Sequence, residues 1–156
     1  MEKLEVTVAV TGMNATDNPA PGVAVARSLR HERQFAGRVI GLGYDALDPG
    51  FYADGLLDGG AILPYPSSGR EAMRERLTWV REEMGMDVLV PTLDSELRGV
   101  LAIASDLERM GTRTFLPTLE SLERVSKAQL PKLASEEKIE IPPSEPIMNV
   151  AALCKL

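Results

Sequence analysis

Short apolar runs alternate with amphipathic helical segments along most of this chain. Apolar residues at helical spacing predict helices over 21–33, from Ser68 to about Met84, and from about Ser95 to Gly111. Alternation of this kind favours parallel strands joined by helical crossovers. We therefore expect an α/β domain with a doubly wound parallel sheet of about five strands and helices on both faces. The predicted strands are 5–11, 38–43, 60–64, 87–90 and 112–116.

Composition limits the class of protein further. The chain has 156 residues, 44% of them hydrophobic, and no apolar run approaches the roughly 20 residues that a membrane helix requires. The net charge of −6 argues against a nucleic-acid partner, and a lone Cys154 excludes an internal disulfide framework. We expect a cytoplasmic protein that binds neither membranes nor nucleic acids.

The stretch MDVLVPTLDSEL, residues 86–97, is the most informative part of the sequence. It predicts a buried strand that stops at Pro91 and releases polar side chains before a helix begins. Ligands of open α/β sheets bind at the carboxyl ends of the strands, so Thr92, Asp94 and Glu96 are candidate substrate-binding residues. The alternative is that Asp94 or Ser95 caps the helix and Glu96 complements its dipole. Both roles are compatible.

The loop after the first predicted strand is a second candidate site. Gly12 and Asn14 would let backbone amides approach an anion, although the G-x-G-x-x-G spacing of dinucleotide-binding loops is absent. The alternative is a loop in which Asp17 and Asn18 cap the next helix. Asp45, after the second predicted strand, is interpreted as a turn residue in preference to a ribose ligand.

Other residues with reactive or ligand-binding side chains are expected to have structural roles. His31 is expected at a solvated helix end, Trp79 in packing, and Ser68 with Glu71 in a capping box. The sequence contains no P-loop, no G-x-S-x-G, no H-E-x-x-H and no Cys/His cluster, so no catalytic residue and no metal site is predicted.

The pattern changes after Thr118. Helical stretches are predicted at 119–125 and 126–135, followed by a proline cluster and a final helical run at 147–156. We interpret residues 1–117 as one α/β domain and 118–156 as a helical connector.

Five segments carry a resemblance to a known family. In chain order they are VTVAVTG, PGVAVARSLR, RVIGLGYDALDPGFYAD, MDVLVPTLDSEL and TFLPTLESLERVSKAQLPKL. Together they resemble the amino-terminal, Rossmann-like domain that precedes the ATP-grasp region in ATP-grasp ligases, above all in the carbamoyl-phosphate-synthase-like group. The resemblance spans nearly the whole chain, and PTLDSEL and ERVSKAQL are its most specific parts.

The resemblance implies a function. ATP-grasp ligases activate a carboxylate as an acyl phosphate with ATP and magnesium and join it to an amine or similar nucleophile. Their amino-terminal domain contributes to the site for the small carboxylate or amine substrate, at the positions of Gly12, Asn14, Thr92, Asp94 and Glu96 here. Lys127 matches a cation that reaches the nucleotide in many members; the alternative is an exposed lysine at a helix start.

The chain also departs from the family pattern. Pro131 should kink or shorten the helix after Lys127. The sequence stops before the family's phosphate-contacting lysine and magnesium ligands, so ATP and magnesium are expected in a full-length parent and no cofactor for this chain alone. Its partner would then be the remaining ATP-grasp domain, in cis or in trans. The alternatives are a stand-alone small-ligand or nucleotide-binding module and a protein-interaction domain, and a homodimer is compatible with the sequence.

Overall fold

Five parallel strands form the centre of the fold. The computed structural model describes residues 3–15 and 20–144, together with 147 and 150. In space the strands follow the order β3-β2-β1-β4-β5, and every neighbouring pair is parallel. The chain leaves the growing sheet after β3 and re-enters on the other side of β1, so the order reverses between β1 and β4. The strands are β1 Thr7–Val10, β2 Arg38–Gly43, β3 Gly59–Ile62, β4 Val88–Val90 and β5 Arg113–Thr114.

Helices connect the strands and continue beyond them. Short 3-10 turns at Pro49–Tyr52, Pro66–Ser68 and Lys127–Gln129 supplement them. The predicted α/β fold with a doubly wound parallel sheet is confirmed. The helices are α1 Pro21–His31, α2 Arg70–Met84, α3 Asp94–Ala102, α4 Ala104–Arg109, α5 Leu119–Arg124 and α6 Leu130–Glu137.

Each face of the sheet has its own hydrophobic core. Successive side chains of a strand point to opposite faces, so Ala9 belongs to one core while Val8 and Val10 belong to the other. The first core unites the sheet with α2, α3 and α4, and Leu77 and Leu107 are fully buried in it. The second core contains residues of α1 and of the loop before β3. The two cores fix the strand ends on which the candidate site lies.

Three sequence predictions about helix α2 and the α3–α4 region are wrong. Ser68 lies in a 3-10 turn and Gly69 is the N-cap of α2, without a side-chain cap, while Glu71 pairs with Arg74 instead. The single helix predicted up to Gly111 is two helices, because the backbone of Ile103 leaves the helical range at φ −115° and ψ 9°. A fully buried Ile103 side chain accompanies this break.

Trp79 is the third of these predictions. It was expected in packing but is 41% exposed, and the Arg76 guanidinium lies 4.1 Å from its ring centroid. A cation over the indole face replaces part of the contact that burial would have given.

The chain divides into two compact units, Met1–Leu116 and Pro117–Leu156. In the second unit Pro131 occupies the first turn of α6, where its missing N–H has no helical partner to lose, so it shortens the predicted helix and does not kink it. The helical run predicted at 147–156 falls outside the described residues, apart from 147 and 150. The identity of the two parts as a pre-ATP-grasp domain and a connector stays a prediction. None of the described helices has the length and apolar character needed to cross a membrane.

Candidate functional site

Polar side chains from three neighbouring strands meet at the carboxyl end of the sheet. Thr11 follows β1, Tyr44 follows β2, and Thr92 and Glu96 follow β4. The meeting point lies where the strand order reverses between β1 and β4. This is the position at which open α/β sheets form a ligand crevice.

The Glu96 carboxylate is the centre of the cluster. Its side chain is 1% exposed. Oε1 accepts hydrogen bonds from the backbone N–H of Thr92 at 2.9 Å and of Leu93 at 3.0 Å, and from the Thr11 hydroxyl. Oε2 accepts a bond from the Tyr44 hydroxyl at 2.5 Å. All four donors are neutral, and among the described residues no cation forms an ion pair with Glu96.

Two threonines close the gap between β1 and β4. The Thr92 amide donates to Thr11 Oγ1 at 2.8 Å, and the Thr92 hydroxyl donates to the Thr11 carbonyl at 3.0 Å. The Thr11 hydroxyl donates a hydrogen bond to Glu96 Oε1 and also lies 3.4 Å from Thr92 Oγ1. The two strand ends are thereby joined beyond the last strand hydrogen bonds, which makes this end of the sheet rigid.

Tyr44 connects the carboxylate to the surface. Burial raises the pKa of its hydroxyl well above 10, and the hydrogen bond to Glu96 and the negative charge of that carboxylate raise it further. The Tyr44 ring stacks on Tyr65 with the centroids 5.7 Å apart and the planes 16° from parallel. Tyr65 is 57% exposed, so the stack presents an aromatic face to solvent.

Gly12 is a structural part of the site. Its φ of +74° lies in the left-handed region, and a Cβ atom there would stand 2.2 Å from Thr92 Oγ1. Its carbonyl accepts a bond from the Gly22 amide at 3.1 Å, which fixes the turn into α1. The alternative caps of this helix, Asp17 and Asn18, lie outside the described residues.

Asn14 and Asp94 are predicted residues that take no part in the hydrogen bonds to Glu96. The Asn14 Oδ1 atom is buried and has no hydrogen-bond partner among the described residues. Buried polar atoms are nearly always paired, so this oxygen is suited to accept a bond from a donor outside the chain. Asp94 is exposed at the first position of α3.

The prediction that Asp94 or Ser95 caps α3 is wrong. Leu93 is the N-cap, and the Glu96 carboxylate accepts the N–H groups of Leu93 and Thr92 in place of a capping side chain. Asp45 is a turn residue as interpreted from the sequence, since its Oδ1 accepts the amide of Leu47 at 2.8 Å. Lys127 lies in the second unit, in the 3-10 turn Lys127–Gln129, and is not placed relative to this cluster.

Sequence reasoning did not single out Thr11 and Tyr44. Thr11 ends the first predicted strand and Tyr44 directly follows the second, and both carry hydroxyl groups, so the rule that selected Thr92 and Glu96 would have selected them as well. Their partner could not be found in this way, because the contacts to Glu96 bridge 85 and 52 positions of the sequence.

The electrostatics of the site oppose a phosphate group. The N-terminus of α3 would attract an anion, but the buried Glu96 carboxylate beside it, which accepts the amides of Thr92 and Leu93 just before the helix, repels one. In the part of the chain that the structure describes, no group of three or more His, Cys, Asp or Glu could hold a metal ion. The residues of this cluster therefore do not fit magnesium-ATP, whereas Asn14 and Asp94 fit a ligand with hydrogen-bond donors or positive charge.

Comparison with known proteins shows similarity at the level of fold. No family model matches the chain, and no curated protein does. Among solved structures, the chain is similar to the biotin carboxylase domain of a single-chain bacterial carboxylase, with a TM-score of 0.53 and 17% sequence identity. The match covers 88% of this chain and 30% of that structure. The described chain thus spans less than a third of the protein that it resembles in fold.

Proposed function

We propose that this chain is the amino-terminal, substrate-side part of an ATP-dependent carboxylate ligase of the ATP-grasp type. The observation that supports this most is the carboxyl end of the sheet, where the buried Glu96 carboxylate lies beside the start of α3, Asn14 Oδ1 has no partner among the described residues, and Asp94 is exposed. Such a surface suits the amine or other donor-bearing substrate and excludes phosphates. The fold similarity to a biotin carboxylase domain supports an ATP-grasp-related assignment.

In this proposal the chain binds and orients, and the remaining ATP-grasp domain supplies ATP, magnesium and the phosphoryl transfer. Asp94 pairs with a cationic or N–H group of the substrate, and the Asn14 side-chain oxygen accepts a second bond from it. Glu96, Thr11 and Tyr44 are positioning residues that hold the strand ends under the substrate. Lys127 serves the nucleotide in the complete enzyme.

The exposed apolar residues of the second unit support a larger assembly. Leu119, Val125 and Leu130 are each more than 40% exposed, and Ile139 is exposed too. Single exposed apolar side chains are ordinary, but several in one short unit favour a surface that the rest of an ATP-grasp domain covers.

Isothermal titration with magnesium-ATP tests whether the nucleotide binds to the remaining ATP-grasp domain and not to this chain. We expect no saturable binding by the 156-residue chain and micromolar or tighter binding by a longer product of the same reading frame. Saturable binding by the 156-residue chain would instead identify a self-contained nucleotide-binding module.

Kinetics of the longer enzyme tests the substrate site. Asp94→Ala should raise the KM of the amine substrate at least tenfold and leave the KM of ATP unchanged. Asp54→Ala is the matched control, because Asp54 is an exposed aspartate in the loop before β3, at the opposite end of the sheet. Equal kinetics for both variants would remove Asp94 from the site.

A further inference from the structure

The outer side of β3 is an unprotected sheet edge. β3 ends the sheet on one side, and its four residues GGAI contain no charge and no proline. Proteins usually protect such edges with charged residues, proline or very short strands, because an open edge pairs readily with another strand. β5, at the opposite edge, has two residues and includes Arg113, so it is protected in this way.

A groove of about 580 Å³ runs along the β3 edge. Tyr52, Ile62 and Arg76 are among the residues that line it. Tyr52 is 67% exposed, and the exposed Trp79 extends the surface through its contact with Arg76. We call strand β3 with Tyr52, Ile62, Arg76 and Trp79 the β3 edge surface. It combines open backbone groups with large apolar side chains, as protein interfaces do.

Charged side chains of opposite sign lie near the two ends of strand β3. Asp58 directly precedes β3, and its Oδ2 forms an ion pair with Arg30 at 2.6 Å and accepts the Val39 amide at 2.7 Å, so its charge is partly compensated. At the other end, Arg76 Nε donates to the Ile62 carbonyl at 2.7 Å. The negative group thus lies at the start of the strand and the positive group at its end.

We propose that a second copy of this chain pairs with the β3 edge surface. A two-fold axis through the centre of β3 would pair the two strands in antiparallel fashion. This operation brings the end of one strand beside the start of the other, so Arg76 of each copy meets Asp58 of its partner. Asp58 would then lie between Arg30 of its own chain and Arg76 of the other copy, and the two-fold axis would repeat this attractive contact at both ends of the paired strands. The proposal is independent of the proposed ligase function.

Backbone pairing through a strand of four residues buries only a small surface area. Arg76 already occupies the Ile62 carbonyl, so the new ladder is confined to Gly59–Ala61. The apolar side chains beside the strand must supply the rest of the contact. A reversible, concentration-dependent dimer follows from this geometry.

Sedimentation equilibrium over a concentration series tests the dimer. The mass should rise from 16.9 kDa towards twice that value as the concentration increases. Ile62→Lys should hold the mass at 16.9 kDa throughout, whereas Phe115→Lys, at the fully exposed residue that follows β5, should leave the association unchanged. A monomer at every wild-type concentration, or equal effects of both variants, would overturn the proposal.

Two further measurements test the two-fold geometry. Arg76→Glu should abolish the association, because it places two carboxylates side by side at each end of the paired strands, and Arg74→Glu should not, although it makes the same charge change on α2. Amide exchange of Gly59–Ile62 should slow with rising concentration while that of Arg113 and Thr114 stays constant. Association that survives Arg76→Glu, or β3 amides that do not respond to concentration, would overturn the antiparallel pairing.

Discussion

At the amino end of the sheet Asp87 is paired with Arg81, whereas at the carboxyl end every donor to Glu96 among the described residues is neutral. Asp87 precedes β4 and accepts the Thr7 amide at 2.9 Å and the Arg81 guanidinium at 2.7 Å. These two interactions, the amide first, lower its pKa. Glu96 is far more buried, yet its partners are two amides and two hydroxyls.

The two ends of the sheet therefore differ in whether a cation of the same chain compensates the carboxylate. The ion pair of Arg81 and Asp87 largely compensates its own charge. The amides and hydroxyls around Glu96 stabilise its charge without neutralising it. We therefore expect the carboxyl end to favour cationic groups over phosphates.

Removing the carboxylate should give the largest change. Glu96→Ala leaves buried amides and hydroxyls without an acceptor, and we expect the free energy of unfolding to fall by about 3 kcal/mol or more. Urea unfolding followed by the fluorescence of Trp79, the single tryptophan, measures it. Glu96→Gln keeps one acceptor oxygen and should lose clearly less. Equal stability of the alanine variant and the wild type would contradict the role given to Glu96.

The turn beside the carboxylate should be the next most sensitive position. Gly12→Ala forces a Cβ atom against Thr92 at a φ of +74°, and we expect a loss of about 2 kcal/mol. Gly99→Ala is the matched control, because Gly99 lies inside α3 and a Cβ there meets nothing within 4 Å. That control should gain about 0.5 to 1 kcal/mol from higher helix propensity. A Gly12→Ala variant as stable as Gly99→Ala would show that the turn can relax.

Removing the Tyr44 hydroxyl should change how the free energy of unfolding depends on pH. Tyr44→Phe should lose about 1 kcal/mol at pH 7, since a hydrogen bond to Glu96 is lost but a solvent-facing ring remains. The folded pKa of Tyr44 is raised above the unfolded value of 10.0, so its stabilising effect is complete below pH 10 and is lost above it. Wild-type stability should therefore fall more steeply above pH 10 than that of Tyr44→Phe. Parallel alkaline profiles would argue against the bond.

The amino end should show the smallest effect. Asp87→Asn removes a partly exposed ion pair, and we expect a loss of less than about 1 kcal/mol at pH 7. Because the folded pKa is lowered, the contribution of Asp87 is present above the unfolded value near 4 and disappears as the pH falls through the folded pKa. Thermal melting from pH 7 to pH 2 should bring the two proteins together in acid. A difference that persists at pH 2 would mean that the side chain acts through packing.

Local patterns in the sequence were sufficient for most of the fold. The predicted bounds 38–43 agree with β2, and the apolar spacing of α1 and α2 located both helices. The break at Ile103 was not predictable in this way, because apolar spacing continues through it and tertiary packing decides where the helix stops. The failed capping box has a similar cause, since Gly69 adopts a φ of +94° that moves Ser68 out of the cap position.

For the site, the sequence located the correct edge of the sheet but not the roles of its residues. Thr92, Asp94 and Glu96 all lie after β4, as expected. Which of the two acids turns inwards depends on Thr11 and Tyr44, residues that are distant in sequence. The use of Asn14, Asp94 and Lys127 by a substrate or nucleotide stays a prediction.

The separation of 85 positions between Thr11 and Glu96 also has a consequence for synthesis of the protein. A ribosome completes β1, β2 and β3 long before it adds the carboxylate that their hydroxyl groups require. Until residue 96 emerges, the hydroxyl groups of Thr11 and Tyr44 can bond to water but not to Glu96. The hydrogen bonds that join the ends of β1 and β2 to this carboxylate are therefore still missing. Long-range contacts of this kind slow folding. We therefore expect the nascent chain to reach a protease-resistant state only after α3 has left the exit tunnel.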